Sequence, residues 1–264
     1  MAKSIARERS SGTQRLLEGK VTIVTGASRG IGKATARVLA THGATVVLAA
    51  RTEDAIDSLS EEITSGGGQA MTVPVDVADP ETVKKLVSRT IDAYGRLDAA
   101  FNNAGATFPP TPLADVPLER FDQLMAVNAR GIFLCMKYEI PAMLAAGGGS
   151  IVNMSSTGGL RAVPGLAPYV ASKHAILGLT KVAALDYAKQ GIRVNALVPA
   201  TILTEQLASL DEAQRQRIAA WMPVGRMGTP EEVGEVVAWL LSEQSSFITG
   251  AAIPIDGGKL AAGA

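Results

Sequence analysis

Tyr169 and Lys173 stand four residues apart in Tyr169-Val170-Ala171-Ser172-Lys173. On a helix that spacing puts both side chains on one face, one turn apart. A free phenol, with a pKa of about 10, is a poor base near neutrality, and moving it to about 7 takes roughly 4 kcal/mol of added phenolate stabilisation. One ammonium about 4 Å away, at an effective dielectric near 20, supplies about that much. The pair reads as a general acid/base, although Tyr-xxx-Lys alone also describes an ordinary surface pair. Two serines change that balance. Ser155 and Ser156 follow the apolar run Ser150–Met154, and the carboxyl end of a strand is where open parallel sheets bind ligands. A hydroxyl there can hold a carbonyl oxygen beside the phenol. Asn128, in Ala126-Val127-Asn128-Ala129, interrupts a helical stretch with a poor helix former, which suggests a polar task such as holding a water.

A second group of residues suits a phosphate. Thr25-Gly26-Ala27-Ser28-Arg29-Gly30-Ile31-Gly32 follows the apolar run Val21–Thr25 and opens a helical stretch. A strand that turns sharply into a helix aims free N–H groups and the positive dipole end at one spot, and glycines let a pyrophosphate approach. The spacing is Gly-xxx-Gly-x-Gly rather than the commoner Gly-x-Gly-xx-Gly. The next apolar run ends Leu48-Ala49-Ala50-Arg51, with no carboxylate for a ribose 2′-hydroxyl. Arg51 and Arg29 instead suit a 2′-phosphate through charge-assisted hydrogen bonds. At roughly 1.5–3 kcal/mol per such bond, NADP(H) is favoured over NAD(H) by about tenfold to a hundredfold. Asp76 could accept a hydrogen bond from the adenine amino group, and Asn102-Asn103-Ala104-Gly105 would line the same crevice.

These groups need a scaffold. Seven short apolar runs read as strands buried on both faces: Val21–Thr25, Thr45–Ala50, Met71–Val77, Leu97–Asn102, Ser150–Met154, Ile192–Val198 and Ala251–Ile255. Helical spacing fills the gaps, as in Ile31–His42, Glu53–Thr64 and Glu81–Tyr94, and Gly66–Gly68 and Gly147–Gly149 read as helix ends. The alternation predicts an α/β fold: one doubly wound Rossmann-type domain over residues 20–264, a mostly parallel seven-stranded sheet with helices on both faces. Residues 1–19, mixing Lys3, Arg7, Arg9 and Arg15 with Ser and Glu, read as a solvated, flexible arm. The helix from about Pro168 to Gln190 is apolar around most of its circumference, and its outer face is expected to pack on another subunit.

Composition narrows the function. With 47% hydrophobic and 19% charged residues the chain can bury a full core. Lys plus Arg number 25 against 25 Asp plus Glu, which lacks the basic excess a nucleic-acid binder needs. One cysteine and two histidines argue against a disulfide or a structural zinc site. No apolar run reaches the roughly 18 residues of a membrane span, and the chain reads as cytoplasmic.

In order and spacing, Gly26-xxx-Gly30-x-Gly32, Asn102-Asn103-Ala104-Gly105, Asn128, Ser156 and Tyr169-xxx-Lys173 resemble the short-chain dehydrogenase/reductase family, over about Leu17 to Gly258. The resemblance implies that Tyr169 is the general acid/base, Lys173 its partner and a ribose ligand, Ser156 (thirteen residues before Tyr169, which selects it over Ser155) the carbonyl anchor, and Asn128 a water-holding relay. It implies a cofactor held by Gly26, Ser28, Arg29, Gly30, Ile31 and Gly32, by Arg51, Asp76, Val77, Asn103, Ala104 and Gly105, by Tyr169 and Lys173, and by Pro199 and Thr204. It also implies a homotetramer or homodimer. One departure is Pro199-Ala200, where the family carries Pro-Gly; weaker or reoriented nicotinamide binding is the expected consequence at worst. The reading is an NADP(H)-dependent oxidoreductase interconverting a ketone and a secondary alcohol. Its rival is a catalytically silent dinucleotide-binding redox sensor. The lid, about residues 200–224, brings Ile202, Leu203, Leu207, Leu210, Trp221 and Met222, and the floor Gly158, Gly159, Leu160, Arg161 and Val163, which predicts a moderately apolar carbonyl or alcohol substrate.

Overall fold

The computed structural model describes residues 15–262. Strands β1 (Val21–Thr25), β2 (Thr45–Ala50) and β4 (Ala99–Asn102) are buried at every position, so their sequences are mostly apolar, with threonines and Asn102, rather than alternating with charged residues. With β3 (Gln69–Pro74), β5 (Gly149–Met154), β6 (Ile192–Pro199) and β7 (Ala252–Ile255) they form a seven-stranded sheet in the order β3-β2-β1-β4-β5-β6-β7. Every pairing is parallel. The winding reverses between β1 and β4, which opens a crevice at the carboxyl ends of those two strands.

Helices α1 (Gly30–Thr41), α2 (Glu53–Ser65) and α9 (Pro230–Leu241) cover one face, where Val24, Leu48, Phe101 and Leu197 meet Leu39, Ile56 and Val237. Helices α3 (Pro80–Tyr94), α5 (Gly131–Ala145) and α6 (Ala167–Tyr187) cover the other, where Ile23, Val47, Ala100 and Ile151 meet Leu86, Ile140 and Ile176. The chain-neighbour alternation of a strand thus builds two cores from one sheet. Local signals set the helix ends. Asp79 accepts from Glu81 N ahead of Pro80 at the start of α3, and Gly95 closes it at φ 72°. Helix α4 (Leu118–Leu124) runs into α5 through a π turn at Met125–Arg130, and short helices α7 (Glu205–Ala208) and α8 (Glu212–Ala219) lie in the predicted lid.

Two expectations change. The third strand is Gln69–Pro74 rather than Met71–Val77. Pairing with β2 starts directly after the Gly66–Gly68 turn, at Thr45 opposite Gln69, while Asp76 Oδ1 accepts from Ala78 N at 3.0 Å and turns the chain away. The apolar run outlasts the strand. Of the expected arm, residues 1–14 lie outside the described residues; the chain from Leu17 belongs to the domain, since Leu17 is fully buried and its N–H donates to His42 O at 2.9 Å.

Candidate active site

Helix α6 begins with Pro168 in its first turn, a position where a missing N–H is harmless. It places Tyr169 and Lys173 one turn apart beside the end of β5. Lys173 is buried, with its Nζ donating to Met154 O at 2.8 Å and lying 5.6 Å from the centroid of the Tyr169 ring. The two serines after Met154 diverge. Ser155 is buried and donates to Lys173 O at 2.9 Å, which makes it a strut between β5 and α6. Ser156 is half-buried, accepts from Gly158 N at 3.0 Å, and faces the phenol. A Cβ at Gly158 would stand 3.3 Å from the Tyr169 ring.

Asn128 sits in the π turn, an irregularity that accompanies functional sites, and is fully buried. Its Nδ2 donates to Ala106 O at 3.0 Å and to Ser172 Oγ at 3.1 Å, and its Oδ1 accepts from Ala106 N at 2.8 Å. Both amide hydrogens are therefore spent on protein, pinning the Ala106 loop to α6. The same contacts bring Gly105 in: a Cβ there would lie 3.4 Å from Asn128 Oδ1 and 3.7 Å from Lys173 Nζ.

The electrostatics run against the simple picture of an ammonium acidifying a phenol. Burial pushes the Tyr169 phenol above its ordinary value, opposed by the neighbouring Ser156 hydroxyl. Burial also pulls the Lys173 ammonium down to about 8. With Lys173 buried and Tyr169 half-buried, desolvation of each charged form dominates its shift, and the ammonium is turned toward Met154 O.

The glycine turn has the shape of a dinucleotide cradle. Gly26 and Gly30 have φ of 67° and 54°, which glycine alone adopts freely. A Cβ at Gly32 would collide with Gly26 O and come within 2.6 Å of Asn103 Nδ2. Asn103 ties the end of β4 to this turn, donating from Nδ2 to Thr25 O at 3.1 Å, while Thr25 Oγ1 accepts from Asn103 N and Ala104 N at 3.0 and 3.1 Å. Thr204 lies against Gly30, its methyl 3.2 Å from where a Cβ would be. A carboxylate oxygen of Glu205 accepts from Gly30 N at 3.1 Å, an anion where a pyrophosphate oxygen would sit. These features fit NAD(P)(H). Arg29 and Arg51 are exposed at the turn and at the end of β2, and neither is in an ion pair among the described residues. Ser28 and Ile31 are half-buried within the turn, and Pro199 ends β6. Ala200 follows without strain: its N–H donates to Ile255 O at 3.1 Å, and no non-glycine among the described residues has a positive φ.

Other expected members lie elsewhere. Val77 packs in the core against Gly131, and Asn102 points away from the crevice, donating to Glu139 Oε2 at 3.0 Å. In the lid, Ile202 and Met222 are buried, Ile202 in the core beside α9, whereas Trp221 is exposed with Lys259 Nζ 5.3 Å above its ring. Arg161 donates to Lys259 O at 3.3 Å. Apolar character does not separate core from pocket wall. Sequence reasoning missed one wall altogether: a small cavity beside Tyr169 is lined by Phe108, Val116, Arg120, Leu124 and Leu166, with the Arg120 guanidinium 5.0 Å over the Phe108 ring. The prolines at 109, 110 and 112 were its available signal, since they keep that stretch irregular. Among the described residues no helix is long and apolar enough to cross a membrane.

Phosphate cradle, serine, phenol and ammonium at the switch point of a parallel sheet define a nicotinamide-dependent oxidoreductase of alcohol and carbonyl groups. Residues 26–259 match the family model described as enoyl-(acyl carrier protein) reductase. The chain is 45% identical over 246 residues to 2,5-dichloro-2,5-cyclohexadiene-1,4-diol dehydrogenase of Sphingobium indicum, covering 92% of this chain and 97% of that one. It is 42% identical over 238 residues to cyclohexanol dehydrogenase of an Acinetobacter species, with 90% and 94% covered. The crystal structure of levodione reductase superposes with a TM-score of 0.88 at 33% identity, over 93% of this chain and 99% of that one. The chain belongs to the short-chain dehydrogenase/reductase family, NAD(P)-dependent enzymes acting on CH–OH and carbonyl groups.

Proposed function

We propose that this enzyme interconverts a ring-bearing secondary alcohol and its ketone, with NADP(H) as the preferred cofactor. The observation that carries the reading is the convergence of Ser156, Tyr169 and Lys173 at the end of β5. Two relatives are named for ring alcohols, and the cavity wall beside Tyr169 is mostly apolar. The guanidinium groups of Arg29 and Arg51, in no ion pair among the described residues, support the 2′-phosphate.

When bound, NADP(H) supplies the hydride exchange at the carbinol carbon. In reduction, the Ser156 hydroxyl donates to the ketone oxygen and fixes it beside the phenol. Tyr169 then gives its proton to that oxygen. The raised value of the phenol keeps the proton in place until it is needed. Lys173 lies close enough to steady the phenolate left behind, and Asn128 holds the Gly105–Ala106 wall against α6. Oxidation runs the same groups in reverse, with Tyr169 as base. Exposed Phe133 on α5 and Val182 and Leu185 on α6 support assembly as a homotetramer or homodimer through those helices.

The test follows loss of reduced-nicotinamide absorbance with a panel of cyclic and open-chain ketones, using NADPH and NADH. Tyr169→Phe is expected to lower turnover by at least about 100-fold with an unchanged cofactor dissociation constant. Turnover near wild type in that variant ends the assignment. Intact cofactor binding with no turnover of any ketone leaves a dinucleotide-binding sensor instead.

A further inference from the structure

Helix α1 starts without a cap of its own. Its N-cap residue, Arg29, makes no side-chain capping bond, and its first turn carries no acid, so its leading amides and positive dipole end lack a local partner. The partner comes from the lid, 175 residues away: Glu205 Oε2 accepts from Gly30 N at 3.1 Å. The neighbouring residue reinforces the contact. Thr204, the N-cap of α7, receives Leu207 N and Ala208 N at 2.9 Å each on its carbonyl, and presses its methyl toward Gly30. The first helix of the lid is thereby anchored onto the glycine turn by one carboxylate.

Resting on the dinucleotide-binding reading above, we propose that Glu205 is an internal competitor for the pyrophosphate position on α1, so that cofactor binding and release of the α7 end of the lid are one coupled event. A single N–H donates well to one anion, and two anions at one helix end repel. An incoming dinucleotide must displace the Glu205 carboxylate, and the lid segment Glu205–Leu210 loses its tether at that moment. By linkage the tether lowers cofactor affinity by the same factor that the cofactor lowers tethering. Glu205 is exposed, and water screens its charge-assisted bond, which reduces the factor to about three- to tenfold.

Dissociation constants of NADPH and NADH, and of inorganic pyrophosphate as a fragment, are to be measured by titration calorimetry for wild type, Glu205→Gln and Glu205→Ala. The variants are expected to bind about three- to tenfold more tightly at low salt, with the gap closing as ionic strength rises. Hydrogen exchange supplies a readout independent of activity: without cofactor, the Gly30 amide and residues 204–210 are expected to exchange faster in Glu205→Ala than in wild type, and NADPH is expected to speed exchange over 205–210 in wild type. Equal or weaker dinucleotide binding by both variants, or unchanged Gly30 exchange, overturns the proposal. If wild type and variants alike bind no dinucleotide, the functional reading itself falls, and the proposal with it.

Discussion

Lys173 Nζ donates to the carbonyl oxygen of Met154 at 2.8 Å, and this bond joins the helix that carries the phenol to the strand that delivers Ser156. The ammonium is bent back into the protein, and its burial lowers it to about 8. Lys173→Met keeps the stem, removes the charge, and leaves turnover at least about 100-fold lower in steady-state assays. The thermal midpoint is expected to hold or rise, because an apolar end replaces a buried ammonium. Full activity in this variant would remove Lys173 from the mechanism.

Arg29 and Arg51 form no ion pair among the described residues and, on the proposed preference for NADP(H), would hold its 2′-phosphate. Replacing both with Ala is expected to lower kcat/KM for NADPH by about tenfold to a hundredfold while leaving NADH nearly unchanged. An equal loss for both cofactors would show that the arginines do not read the 2′ position.

Glu139 is fully buried beneath the sheet, with Asn102 Nδ2 donating to its Oε2 at 3.0 Å. Among the described residues Glu139 Oε1 and Asn102 Oδ1 have no hydrogen-bond partner; a proton on the acid turns one of its unsatisfied acceptors into a donor. Burial raises the carboxyl from 4.5 to about 7. The folded state therefore binds the proton more tightly than the unfolded chain does. The resulting stabilisation is complete below about pH 4.5 and is lost as pH rises through about 7, a change on the order of 3 kcal/mol. Urea unfolding at pH 5 and pH 8 checks it: Glu139→Gln is expected to match wild type at the lower pH and exceed it at the higher. A wild-type stability flat across that window would refute the neutral acid.

Leu185 is 82% exposed and Val182 58% exposed on the outer face of α6. Wild type is expected to sediment as a dimer or tetramer, and Leu185→Lys to shift it toward monomer. A monomeric wild type would leave that face without an oligomeric role.

The strands β1 and β2 were legible to the residue because double burial writes a run of apolar and threonine residues, without charge, between turns. The third was shifted because Val75 and Val77 are core residues of a loop, and apolar character marks burial rather than extended backbone. Likewise Tyr169 and Lys173 could be paired from helical spacing alone, whereas residue type did not separate Ser155 from Ser156: the family spacing selected Ser156, and in the structure Ser155 Oγ donates to Lys173 O.

By itself, then, the chain determined its alternating architecture, its glycine turn and the one-turn spacing of phenol and ammonium. Each depends on periodicity or backbone freedom within a few residues, and local energies are written locally. Tertiary structure alone decided which polar groups meet: Asn128 with Ala106, Glu139 with Asn102, Glu205 with Gly30. It also shifted the proton affinities of Tyr169 and Lys173, upward for the phenol and downward for the ammonium, because desolvation depends on what distant segments pack around a charge.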